Sequence, residues 1–104
     1  MKDMIRKWLV REVLGTEDEE MLQSLYDSYL ATLDGEIAKA RTQTSDGEFA
    51  ALDRTAHTLK GVTLAVGDTE AYDVVIKLRD AAKASDAAAA SSAVAALESL
   101  RAAL

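Results

Sequence analysis

A chain of 104 residues, 49% of them apolar, is long enough for one compact domain spanning residues 1–104 around a single core. It has no cysteine, which excludes disulfides, thiolate metal sites and thiol nucleophiles, and one histidine cannot build a multi-histidine metal centre. A net charge of −6 without a basic stripe argues against nucleic acid, and no segment reaches the roughly 20 apolar residues of a membrane span.

The charge is uneven. Residues 1–15 carry four basic side chains against two acids, residues 16–48 carry two against nine, and the remainder is near neutral. Charges thread through the opening MKDMIRKWLVREVLG, which lacks the apolar stretch of a signal peptide, so a cytoplasmic location is expected. With no proline and abundant alanine, leucine, glutamate and lysine, the propensity is helical throughout.

Residues 2–13 predict a short amphipathic helix with Met4, Ile5, Trp8 and Leu9 on one side, ended by Gly15. Thr16 and Glu19 have the spacing of a capping box. A long helix follows to about residue 42, with the seam Leu22, Leu25, Tyr26, Tyr29, Leu33, Ile37 and Ala40; Gly35 interrupts it without breaking it. Ser45 and Glu48 suggest a second capping box, opening a third helix over 48–66. Its seam is Phe49, Leu52, Ala56, Leu59, Thr63 and Val66. Gly67 stops it. Asp68 or Thr69 caps a fourth helix with Ala71, Val74, Val75, Leu78 and Ala82 inward. Ser85 or Asp86 caps a fifth with Ala90, Val94, Leu97, Leu100 and Leu104 inward. Short loops make neighbouring helices antiparallel. The expected fold is all-α: an up-down four-helix bundle with an additional N-terminal helix laid across it.

The only histidine, His57, lies off the third helix's seam. At 100° per residue it shares a charged stripe with Ala50, Asp53, Arg54, Lys60, Gly61 and Leu64, so it should meet solvent. Gly61 costs roughly 1 kcal/mol against alanine inside a helix, and no turn signal surrounds it. Four residues after the histidine, it lies alongside the ring and leaves room for a partner's surface. A neutral imidazole is a competent nucleophile near neutral pH, and Lys60, one turn on, is placed to stabilise anionic oxygens on it.

These residues resemble the signature of histidine-containing phosphotransfer (HPt) domains: a histidine, a lysine three on, a glycine four on and a second glycine ten on. His57, Lys60, Gly61 and Gly67 match in order, within AHTLKGVTLAVG and after the approach DGEFAALDRTAH. The resemblance covers roughly residues 10–83.

It implies a phosphocarrier in a multi-step two-component phosphorelay. His57 would accept a phosphoryl group on its outer ring nitrogen from an aspartate of one receiver domain, or pass it to another. Those receivers would belong to a hybrid histidine kinase or a response regulator, and would bring the Mg²⁺. Lys60 would stabilise the phosphoryl group and Gly61 would give access, with Ala50, Arg54 and Leu64 in the docking surface. The domain itself would need no cofactor, bind no ATP and act as no kinase, in keeping with the lack of a glycine-rich phosphate loop. A closed bundle with a covering helix points to a monomer.

One position departs from the family. Several members place a glutamine on the following helix against the imidazole, where this chain has Arg79. Arginine donates and cannot accept. Contact with the phosphoryl group and a solvated side chain are both open to it. Trp8 is open to two roles as well, a lid on the core or part of an apolar docking patch with Leu64 and Ala50. A different class of function, a helical adaptor that docks on a receiver or other protein without carrying phosphate, explains the helix faces but not Gly61 beside His57. A general-base enzyme lacks a second catalytic group.

Overall fold

Apolar residues spaced three and four apart generate the principal elements of the computed structural model, which describes residues 1–104. The helices are α1 (Asp3–Trp8), α2 (Glu19–Ser45), α3 (Phe49–Ala65), α4 (Thr69–Lys83) and α5 (Ala87–Ala102). There is no strand. Each of α3, α4 and α5 packs on the helix before it, and α5 closes back on α2. Three links show α2 and α5 running in opposite directions. The Tyr26 hydroxyl donates to the Leu104 carbonyl at 2.9 Å, Arg101 Nε to Asp34 at 2.7 Å, and Arg41 Nε to Glu98 at 2.8 Å.

The core is a column of leucines. Leu22, Leu33, Leu52, Leu59, Leu78 and Leu97 are essentially fully buried, so truncating any one to alanine costs about 2–5 kcal/mol. The expected seams are the buried faces, with Leu25, Phe49, Val74, Leu100 and Leu104 half-buried at their margins. Small residues also face inward: Ala81 and Ala82 on α4, Ala90 and Ala93 on α5. They let these two helices approach closely, which gives the alanine-rich stretch its place in the packing. Helix α2 runs unbroken through Gly35.

The termini differ from the expected caps. Asp18, not Thr16, caps α2, accepting from the Met21 amide at 3.2 Å. Glu19 pairs with Arg6 instead of reaching back to the backbone. An ion pair to another helix competes with the capping box and wins. Ser45 lies inside the last turn of α2, and Glu48 caps α3 through its backbone alone. Asp68 and Asp86 cap α4 and α5 as expected.

The N-terminal segment is not one α-helix over 2–13. After Trp8 it widens into a π-helix, Leu9–Leu14, closed by a bond from the Gly15 amide to the Val10 carbonyl at 2.8 Å. Ile5 and Leu9 are buried. Trp8 is half-buried, donates through Nε1 to the Ala65 carbonyl at 3.2 Å, and lies over Gly67. It is a lid on the core, as one of its two expected roles has it.

Below this lid sits a polar cluster that the sequence reading did not foresee. Asp68, 1% exposed, accepts from the Tyr29 hydroxyl at 2.6 Å and from the Ala71 amide at 3.4 Å. Lys2 Nζ, itself buried, lies 3.7 Å from Asp68 and 3.8 Å from Glu70. Burial, reinforced by the Asp68 hydrogen bond, pushes the Tyr29 phenol pKa well above its ordinary value.

Candidate functional site

Two side-chain ties flank the buried seam of α3. On one flank, buried Thr55 donates to Gln43 Oε1 of α2 at 2.7 Å. On the other, Arg79 Nε of α4 donates to Asp53 Oδ1 at 3.3 Å. Between them Leu52, Ala56 and Leu59 are buried, together with Thr63, whose hydroxyl donates to the Leu59 carbonyl. What remains outward is the stripe centred on His57.

His57 is exposed, and its ring takes no hydrogen bond from any side chain of the protein. Ala50, Arg54, Gly61 and Leu64 are exposed with it, and Lys60 is half-buried. Leu64, 48% exposed, is among the few large apolar side chains left in solvent. Lys60 and Arg54 form no ion pair, so both cations are free to meet an anion. Beside the stripe a polar groove of about 320 Å³ runs between α2 and α3, lined in part by Lys39, Arg54 and Thr58.

The helix continues undistorted through Gly61, and a Cβ built there meets nothing within 4 Å. The glycine is therefore not required by any close approach inside the protein. It leaves a notch open to solvent one turn from the imidazole.

Chemically, the arrangement offers one exposed nucleophilic ring, a nearby free ammonium and a clear approach. His57 does not line the groove between α2 and α3, and no group of three or more His, Cys, Asp or Glu side chains is placed to hold a metal ion. The groove of about 590 Å³ between α2 and α5 is framed by Asp34, Arg41, Glu98 and Arg101, with no residue of α3.

Comparison with protein-family models gives a match to the Hpt domain over residues 24–104. The chain belongs to the Hpt-domain family. Searches of curated proteins and of solved structures returned no match. The Hpt match begins inside α2 and runs through α5, so it reaches further toward the C-terminus than the resemblance read from the signature, and it leaves α1 and the π-helix outside. The helical bundle of this Hpt domain places His57, Lys60 and Gly61 together on its outer face.

Arg79 is not simply solvated: it is half-buried and pairs with Asp53. That pairing was missed because periodicity places a residue on a face without giving the register between two helices. The only sequence signal was an isolated acid on the charged stripe of α3 and an arginine on α4.

Proposed function

We propose that this Hpt domain relays a phosphoryl group between aspartates of receiver domains, carried as phospho-His57. The four long helices are read as an up-down antiparallel bundle that holds this one ring outward. The observation that carries the reading is the open notch at Gly61 beside an exposed, unpartnered imidazole and a free Lys60.

The step balances within two proteins. The unprotonated ring nitrogen of neutral His57 attacks phosphorus of the receiver's acyl phosphate. The bond from phosphorus to the aspartyl oxygen breaks, and its electron pair stays on the departing carboxylate. The ring becomes a phosphoimidazolium and releases its remaining N–H proton to water. Lys60 offsets charge on the phosphoryl oxygens, and Gly61 admits the receiver loop that carries the aspartate. Ala50, Arg54 and Leu64 surround the contact. Mg²⁺ arrives with the receiver, whose groups supply most of the transition-state stabilisation. The domain acts as a carrier, not as an ATP-dependent kinase, and works as a monomer in the cytoplasm with receivers of a hybrid kinase or response regulator.

The test is incubation with a phosphorylated receiver, followed by assay for acid-labile, alkali-stable phosphate on the chain. Label is expected on the wild type and lost in His57→Gln, with helicity unchanged. Label that survives the substitution rules out His57. Receiver binding without label supports a docking adaptor instead.

A further inference from the structure

Asp53 is the only acid on α3, and it stands one turn before His57 on the same outward stripe. Residues four apart on a helix have Cβ atoms about 5–6 Å apart. A carboxylate there opposes the arrival of a phosphoryl dianion on the ring. Arg79 masks it from α4, at side-chain exposures of 27% for Arg79 and 35% for Asp53, where solvent screens charge less than at an open surface.

The contact is the loosest of the arginine–carboxylate pairs that join two of the long helices. Arg101 grips Asp34 with Nε and a terminal nitrogen at 2.7 and 3.1 Å, and Arg41 holds Glu98 with two nitrogens. Arg79 uses Nε alone, at 3.3 Å, and its terminal nitrogens bond nothing in the protein.

We propose that the Asp53–Arg79 pair sets how tightly His57 holds a phosphoryl group, and so biases the direction of transfer; the inference rests on the carrier reading above. The two partners act in opposite senses. Asp53 pushes the phosphoryl group off the ring, and Arg79 cancels that push. Neither touches the reacting atoms as a nucleophile or acid. Both are positioning residues for charge.

The test is the equilibrium of phosphoryl exchange between the chain and a phosphorylated receiver, together with the lifetime of isolated phospho-His57. Asp53→Asn is expected to shift the exchange toward the phosphorylated chain by about fivefold and to lengthen the lifetime. Arg79→Gln is expected to shift it by a similar factor the other way, and the double variant to return within about twofold of wild type. Arg79→Lys, which keeps the charge, is expected to stay close to wild type. A purely structural pair predicts shifts of the same sign for both single variants. That result, or no shift beyond twofold in either, overturns the inference while leaving the carrier reading intact. A wild-type chain that takes no label overturns the carrier reading, and this inference with it.

Discussion

Trp8 lies so close over Gly67 that a Cβ built on the glycine would come within 2.5 Å of the indole Cγ. Gly67 also has φ +67°, in the left-handed region that ends α3. The same small residue thus stops the site helix and seats the N-terminal lid. Gly67→Ala is expected to cost about 1–2 kcal/mol in backbone strain and more from displacing the ring. Because Trp8 is the sole tryptophan, its fluorescence reports that displacement directly. The expected outcome is a red-shifted emission and a melting temperature lower by roughly 10 °C or more.

Gly61 predicts the opposite sign. It is helical, exposed and free of neighbours. Gly61→Ala is expected to raise stability by about 1 kcal/mol, or roughly 4–8 °C in melting temperature. Gly61→Gln is expected to keep wild-type stability or better while slowing transfer from a receiver, because its side chain fills the notch. Thermal melts and labelling rates on the same preparations separate the two effects. A loss of stability in Gly61→Ala would show that the glycine serves packing.

Ser85 ends α4 with φ 51°, the only non-glycine in the left-handed region. Its turn copies that of Gly67, with the Asp86 amide bonded to the Ala81 carbonyl at 2.9 Å. Ser85→Gly relieves the Cβ strain and is expected to stabilise by about 1 kcal/mol, seen as a higher midpoint in urea at unchanged slope. The site lies on another helix, so the labelling rate is expected to be unchanged.

Much of this was legible in the sequence. The seams of α2 through α5 follow from three-and-four spacing, and the same rotation places His57, Lys60, Gly61 and Leu64 outward. What escaped were relationships between elements. Thr16 and Glu19 have ideal capping-box spacing, yet Glu19 is claimed by Arg6 from a different helix. Asp68 reads as a helix cap, which it is, but nothing local says that Tyr29 and Lys2 converge on it. Asp53 and Arg79 meet through the register of α3 on α4, which no single-helix pattern encodes.

The Asp68 cluster carries a pH dependence. The folded state holds the Tyr29 proton more tightly than the unfolded chain, whose phenol titrates near 10.0. Unfolding above that pH releases a proton. Tyr29's contribution is therefore present below about pH 10 and is lost as pH rises further. Tyr29→Phe is expected to cost about 1–2 kcal/mol at neutral pH, from the lost hydrogen bond to a buried carboxylate. It is also expected to flatten the alkaline fall in melting temperature. An alkaline limb equally steep in both proteins would assign that fall to other groups.

The most direct measurement of the central claim is site localisation of the phosphoryl group by tandem mass spectrometry, kept alkaline throughout, after incubation with a phosphorylated receiver. The account predicts one phosphoryl group, on the imidazole of His57. Phosphate on a serine, threonine or aspartate, or a chain that binds the receiver and remains unmodified, would contradict it.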